Sequence, residues 1–336
     1  MEEKIRVNLP KRTHDLLLKD AENFEFFKKD GSLNKNAFIN RLILNYHLDY
    51  AKKQKEMLGI ITSSISELDD DPFLLEEAGY RILNRLNLNQ YGTDENSEVH
   101  ISFRPVRDSS NTIEFIESHE LRGSSRSNYY RMLFDSYCSL PQDKRERIIF
   151  RDIVEPIEEA IAEDRQIYLL SKNNYLLGRP GLILNPYSLS LTREELYNYL
   201  LAEISDVGAV RTTRLCRIRN IRILPEKRVF TDTVKEKLKK MVFNGPQYPY
   251  RDEEDEPIRV RFTEEGLRMF KVYYLHRPVP RSIEGNIYTF DCSHMQALTY
   301  FSRFGDNALI LEPNKLSMDM LNYYRCAEEK YEELVQ

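Results

Sequence analysis

The stretch from Leu184 to Leu224 contains three apolar-rich runs of strand length, LNPYSLSL (184–191), ELYNYLLAEI (195–204) and RTTRLCRIRNIRIL (211–224). Short polar turns separate these runs. Apolar runs bounded by turn residues are typical of consecutive antiparallel strands. The stretch therefore predicts an antiparallel meander or a small barrel, around which the rest of the chain is arranged.

The third run is unusual because it is rich in arginine and has no acidic residue before Glu226. Its arginines are Arg211, Arg214, Arg217, Arg219 and Arg222. The two earlier runs supply Tyr187, Tyr197 and Tyr199. Guanidinium groups bind phosphate oxygens and aromatic faces accept stacked bases, so this combination predicts a site for a ligand that carries both. Successive side chains of a strand point to opposite faces, so the arginines divide between the two faces of this run. Those on one face can bind the ligand, while those on the other can belong to an interface or a solvated surface.

Three short segments of this region resemble a known family. They are Asn185-Pro186-Tyr187, Asn198-Tyr199-Leu200 and Arg211…Arg214-Leu215-Cys216-Arg217-Ile218. In this order they resemble the WYL domain, a small Sm-like β-barrel of bacterial regulators and CRISPR accessory proteins. Asn198 stands where the family has its tryptophan. The resemblance spans roughly residues 145–230 and implies a linker helix at 143–164 and a WYL domain at 165–230. It also implies a set of ligand-binding residues, namely Tyr187, Asn198, Tyr199, Arg211, Arg214, Arg217, Arg219 and Arg222.

The N-terminal segment alternates between polar and apolar residues. Lys4, Arg6 and Asn8 share one face of a predicted strand, and two helical patterns follow it. A polar-faced strand followed by two helices resembles a ribbon-helix-helix unit, predicted here at residues 1–50. Such units pair two strands into a ribbon that lies in a DNA major groove. Alternatively, the charged face simply protects an edge strand from further pairing.

A second copy of this pattern follows a helical connector at residues 51–97. Residues 98–142 read as a degenerate second ribbon-helix-helix half, offset by roughly 92–94 residues. In this alignment Tyr46 and Tyr137 fall at equivalent places. The sequence leaves open whether the two halves pair within one chain or between two chains.

The C-terminal third predicts a further unit. A linker at 231–256 contains a short helix and the acidic run Asp252–Glu256, and residues 257–336 alternate between strand and helix patterns. Phe304-Gly305 and Leu311-Glu312-Pro313 resemble the extension that follows many WYL domains. That resemblance implies a C-terminal α+β dimerisation module. The predicted fold class is thus a multidomain α+β protein with a ribbon-helix-helix unit, which the half at 98–142 would duplicate, an Sm-like β-barrel and this module.

The composition excludes several classes of function. The net charge of −5 and mean hydropathy of −0.57 argue against a generally basic nucleic-acid binder and against a membrane protein. The N-terminus has no apolar signal segment, and the four cysteines lie far apart, as in a reduced cytoplasmic protein. We find no phosphate-binding glycine loop or metal-ligand spacing, and Asp291-Cys292-Ser293-His294 is best explained by chance proximity. We therefore expect a non-enzyme without cofactor or metal.

The combined architecture resembles the WYL accessory proteins encoded beside type VI-D CRISPR RNA-guided RNA nucleases. That resemblance implies a homodimer that binds single-stranded RNA and stimulates the nuclease. The alternative is a transcription regulator whose ribbon binds duplex DNA and whose WYL domain senses a ligand. In a third interpretation the first 150 residues serve only as a dimerisation scaffold.

Overall fold

The computed structural model describes residues 3–67, 71–89, 98–121, 124–172, 181–192, 194, 196–251 and 256–335. The chain divides into two compact units, Met1–Arg151 and Asp152–Gln336. Both combine helices with antiparallel strands, so the predicted α+β class is confirmed. Within the described ranges, no helix is both long enough and apolar enough to cross a membrane.

The first unit is mainly helical and contains one two-stranded sheet. Its elements are β1 (Ile5–Pro10), α1 (Lys11–Asn23), α2 (Lys35–Ile65), α3 (Pro72–Asn89), β2 (Glu98–Phe103), α4 (Arg107–Phe115), a π-helical turn (Ile116–Glu120), α5 (Arg126–Cys138) and α6 (Gln142–Ile149). A strand followed by two helices therefore occurs twice, once from β1 and once from β2.

The two strands of the first unit pair with each other in antiparallel register. Arg6 lies opposite Ser102 and Val7 opposite Ile101. Ile5, Val7 and Leu9 are buried and the residues between them are exposed, which confirms the predicted alternation. The sequence left the pairing of the two halves open, and the structure pairs them within one chain.

The helix boundaries of this unit differ from the sequence-based boundaries. α1 ends at Asn23 because the backbone turns at Glu25, whose φ is +58°. The Asn34 side chain caps α2 by accepting the Ala37 amide at 3.1 Å. α2 then runs without interruption through residue 50. The predicted end of the ribbon-helix-helix unit at residue 50 therefore lies inside this helix.

A buried ion pair ties α1 to α6. The Arg145 guanidinium donates through Nε to Asp20 Oδ2 at 2.6 Å and through Nη2 to Asp20 Oδ1 at 2.9 Å. The Tyr137 hydroxyl also donates to Asp20 Oδ2, at 3.0 Å. Only 7% of the Arg145 side chain and 1% of the Asp20 side chain are exposed. This bidentate pair joins segments that lie 125 residues apart in the chain.

The second unit begins with a helix and a five-stranded antiparallel sheet. These elements are α7 (Arg151–Ala162), β3 (Arg165–Ser171), β4 (Gly181–Leu191), β5 (Asn198–Ile204), β6 (Val210–Arg214), a 3-10 turn (Leu215–Arg217) and β7 (Ile218–Lys227). The strand order is β6-β5-β4-β3-β7. The single linker helix predicted at 143–164 is instead two helices, α6 and α7, because the backbone leaves the helical conformation at Phe150.

The arginine-rich run is not the single strand that the sequence predicted. The 3-10 turn splits it, and the buried side chains of Leu215 and Cys216 hold that turn in the core. Consequently β6 and β7 lie at opposite edges of the sheet, and Arg214 and Arg222 do not share a strand. The alternation of side chains between the two faces of β6 therefore does not continue across the turn into β7.

The sheet is curled but is not a closed barrel. In a flat sheet four strand spacings would separate β6 from β7 by about 19 Å. The four residue steps from Arg214 to Ile218 span at most about 14 Å, so the sheet must curl to bring these edges together. Among the described strands, however, β6 and β7 are not paired, and this corrects the prediction of a closed Sm-like barrel.

The predicted linker after the sheet contains α8 (Asp232–Asn244), which packs on the sheet. Val234, Leu238 and Met241 of this helix form a buried cluster with Leu201 and Val210 of the sheet. Residues 252–255 of the predicted acidic run lie outside the described residues.

The C-terminal module has a four-stranded antiparallel sheet in the order β11-β8-β10-β9. Its elements are β8 (Ile258–Phe262), α9 (Glu264–Val272), β9 (Pro280–Glu284), β10 (Ile287–Phe290), α10 (His294–Phe301), β11 (Ala308–Glu312) and α11 (Asn314–Val335). This βαββαβ sequence buries one sheet face under its helices. Its core is aromatic and includes Phe262, Phe290, Phe301 and Phe304.

Candidate nucleic-acid interface

The outer face of β5 and β6 carries the first group of candidate residues. Tyr199 lies directly opposite Arg214, and directly opposed residues point to the same face of a sheet. The Arg214 Cζ atom lies 3.5 Å from the centroid of the Tyr197 ring, at cation–π distance. The tyrosine therefore holds the guanidinium group against its ring.

Hydroxyl groups extend this face on the neighbouring strand. Ser190 lies opposite Tyr199, and its Oγ atom is 2.8 Å from Ser188 Oγ. We call Tyr197, Tyr199, Arg214, Ser188 and Ser190 the β5–β6 cluster. It combines one cation, two phenol rings and two small donors, which are groups that bind phosphates and bases.

The other edge of the sheet carries a second arginine–tyrosine pair. Arg222 of β7 lies opposite Tyr168 of β3, with Arg222 Cζ 5.5 Å from the Tyr168 ring centroid. A Cβ atom at Gly181 would come within 2.5 Å of the Tyr168 ring, so the ring lies directly over this glycine. Sequence analysis missed Tyr168, because nothing in the local pattern of β3 indicates which strand will pair with it.

The two pairs face the same side of the curled sheet. Leu184 lies opposite both Ile167 and Ile204, and these residues are buried on the inner face. Tyr168 and Tyr199 occupy the alternate positions of their strands and therefore point to the outer face, which α8 covers in part at Leu201 and Val210. Arg217 and Arg219 are also exposed, the first in the 3-10 turn and the second on β7.

Three predicted ligand-binding residues lie elsewhere. Arg211 points to the opposite face from Arg214, where its Nε donates to Thr213 Oγ1 at 3.2 Å and burial lowers its pKa. Asn198 is buried, with 4% of its surface exposed. Tyr187 packs edge-on against Phe230, with ring centroids 5.8 Å apart, and joins the core beneath α8. Both Tyr187 and Asn198 therefore contact the packed interior of the second unit.

The predicted ribbon face is exposed in the first unit. Arg6 and Asn8 point to solvent from β1, and Lys4 is exposed immediately before this strand. Arg6 Nη2 lies 3.3 Å from Nδ1 of the exposed His100 on β2, next to it on the same face. The face therefore carries two cations and several hydrogen-bonding groups.

The thiol and imidazole near residue 292 lie in a helix-capping segment. Ser293 caps α10 by accepting the Gln296 amide at 3.2 Å, and Tyr250 donates to the Asp291 carbonyl at 2.6 Å. The Asp291 carboxylate pairs with Lys240 at 2.7 Å. Among the residues that the structure describes, no group of three His, Cys, Asp or Glu side chains is arranged to hold a metal ion.

Comparison with known proteins gives a likeness of fold. No family model and no curated protein sequence matches the chain. A solved CRISPR Cas-related protein superimposes with a TM-score of 0.69 and 20% identity, over 100% of this chain and 96% of that one. Proteasome accessory factor B/C of Arthrobacter aurescens matches with a TM-score of only 0.27 and 14% identity, over 98% of this chain and 50% of that one. The chain therefore shares its α+β fold with the CRISPR Cas-related protein over almost the whole length of both.

Proposed function

We propose that this chain is an accessory protein of a CRISPR system, which binds single-stranded RNA through its five-stranded sheet and stimulates an RNA-guided RNA nuclease. Two observations support the CRISPR association, namely the whole-chain likeness to a CRISPR Cas-related protein and the segments that resemble a WYL domain. The proposal includes homodimerisation through the C-terminal module. It assigns the protein no catalytic step and no cofactor.

The observation that carries the RNA-binding proposal is the pairing of arginine with tyrosine at two places on the outer face of the sheet. A guanidinium group that contacts an aromatic ring through its face can still direct its N–H donors to phosphate oxygens. The nearby Tyr199 offers a ring for a stacked base. Arg217 and Arg219 add positive charge near the turn that joins the two edges.

This proposal is tested by the double variant Arg214→Ala with Arg222→Ala. The assay is fluorescence anisotropy with labelled single-stranded RNA at several salt concentrations. Each lost phosphate contact reduces the slope of log affinity against log salt by about 0.7, so two contacts reduce it by about 1.4. We also expect affinity at low salt to fall at least tenfold, since each contact contributes roughly 1 kcal/mol.

The matched control is Arg281→Ala, which removes an exposed arginine from the C-terminal hairpin. Its affinity and salt slope should equal those of the unaltered protein. If the double variant also retains both, the sheet is not the RNA-binding surface. Nuclease stimulation is measured with the same variants and should decline in parallel with RNA binding.

A DNA-binding regulator is the second candidate function, favoured by the exposed Lys4 and Arg6 on the paired ribbon. Labelled single-stranded RNA is challenged with duplex DNA, duplex RNA and single-stranded DNA of matched length. If duplex DNA competes best and Lys4→Ala with Arg6→Ala removes that competition, the regulator replaces our proposal. If single-stranded RNA resists the duplex competitors, the accessory function is supported.

A further inference from the structure

A cavity of about 450 Å³ lies within the first unit. Its walls come from α2, α3, the end of the π-helical turn and α5. Cavities of roughly 300–1,000 Å³ are typical of small-molecule sites. π-helical segments are rare and are frequently found at functional sites. Both features point to a bound small molecule.

The cavity is lined by aromatic and apolar side chains suited to a flat ring. Tyr50, Tyr80 and Tyr129 lie around it, and Leu83 and Met132 belong to its buried lining. The rings of Tyr50 and Tyr129 meet edge to face at 88°, with centroids 5.5 Å apart. This contact fixes both rings, so they form a rigid wall on which a heterocycle can pack.

The Glu120 carboxylate lines the cavity beside this wall. The Tyr129 hydroxyl is closed off from solvent and from the cavity, so the ring of this residue, not its hydroxyl, can contact a ligand. A carboxylate can accept two hydrogen bonds at once, which matches the edge of guanine that carries the adjacent N1–H and N2–H donors.

Two lysines on α2 supply the complementary charge at the mouth. Lys52 and Lys55 both line the cavity and are exposed to solvent. An ammonium group at the mouth can neutralise a phosphate while the base occupies the interior. The acidic Glu76 lines the α3 side, so the phosphate is expected on the α2 side. We propose that this cavity binds a guanine nucleotide, with the Glu120 carboxylate reading the base, the Tyr129 ring packing against it, and Lys52 and Lys55 holding the phosphate.

The test is isothermal titration of the full chain with GMP, UMP, guanosine and inorganic phosphate. We expect GMP to bind about tenfold more tightly than UMP, because each well-placed edge contact discriminates by about 1–3 kcal/mol. Glu120→Gln keeps the shape of the side chain but removes the charge that accepts both guanine donors, so it should abolish the preference. Lys55→Ala should weaken GMP binding while leaving guanosine binding unchanged.

Glu284→Gln, which alters an exposed carboxylate of the C-terminal hairpin, is the control and should bind GMP normally. Circular dichroism verifies that each variant is folded, and Lys55→Ala tests the site even if Glu120→Gln fails to fold. The proposal is overturned if GMP does not bind at millimolar concentration, if UMP or phosphate binds equally well, or if Lys55→Ala leaves GMP binding unchanged. Binding of GMP by the sheet is distinguished by Arg214→Ala with Arg222→Ala, which should leave GMP binding by the cavity unchanged even if it abolishes RNA binding.

Discussion

Loss of the buried Asp20–Arg145 pair should strongly destabilise the first unit. In Asp20→Ala the Arg145 guanidinium loses two hydrogen bonds and stays in a site where only 7% of the side chain is exposed. Removing one partner of such a pair typically costs about 3–5 kcal/mol, because the remaining charge is buried without compensation. The variant also removes the acceptor of the Tyr137 hydroxyl.

A loss of about 4 kcal/mol corresponds to a fall in Tm of roughly 8–16 °C for a unit of about 150 residues. Scanning calorimetry of the full chain measures this, with circular dichroism at 222 nm as a second probe. The control is Asp15→Ala, since Asp15 lies on the same helix with 58% of its side chain exposed. We expect that control to change Tm by less than about 2 °C.

A double variant distinguishes the effect of the unpaired Arg145 charge from a simple loss of packing. Asp20→Leu with Arg145→Met replaces both charges by apolar groups, and such replacements are often neutral in stability. We therefore expect it to regain most of the stability that Asp20→Ala loses. If Asp20→Ala lowers Tm by less than about 2 °C, or if the double variant is the less stable of the two, the reasoning is refuted.

Three further predictions concern single positions. Burial raises the pKa of Asp135 above its unfolded value, so its charged form is penalised at neutral pH and that penalty disappears as pH falls through the folded pKa. We expect Asp135→Asn to raise the free energy of unfolding by about 1 kcal/mol at pH 7 and by less at pH 4 in urea titrations, and an equal effect at both pH values would contradict this. Gly181→Ala places a Cβ atom 2.5 Å from the Tyr168 ring, so the ring must move away from its position beside Arg222. We expect RNA binding to weaken severalfold with little change in Tm, and unaltered binding would count against a role for Tyr168 in RNA binding. Gly266→Ala places a Cβ atom 2.0 Å from the Asn307 carbonyl oxygen, and the resulting backbone shift should cost about 1–3 kcal/mol by calorimetry, so an unshifted transition would count against the close packing there.

Local periodicity made much of the fold predictable. The alternation from Lys4 to Leu9 fixes which side chains of β1 face solvent, because successive residues of a strand point to opposite sides. The same reasoning located the strands between Leu184 and Ile204 and the helical and strand segments of the C-terminal module. The start of α2 depends on equally local chemistry, because the Asn34 side chain accepts an amide hydrogen of the first helical turn.

The candidate site was only partly predictable. The arginines of the run at 211–222 are visible in the sequence, but their grouping depends on the 3-10 turn at Leu215–Arg217, which places β6 and β7 at opposite edges. Tyr168 becomes a partner of Arg222 only through the register of β3 with β7. The family resemblance implied Tyr187 and Asn198 as ligand-binding residues, and only the structure shows that both lie in packed surroundings.

The sequence by itself determined the alternation of faces, the positions of most strands and the concentration of arginine in one run, since these follow from neighbours within a few residues. Only the tertiary structure decided the pairing of β1 with β2, the division of the arginines between two edges and the contact of Asp20 with Arg145. Those contacts join segments dozens of residues apart. Their free energy depends on how the helices and strands pack together, which local sequence patterns do not specify.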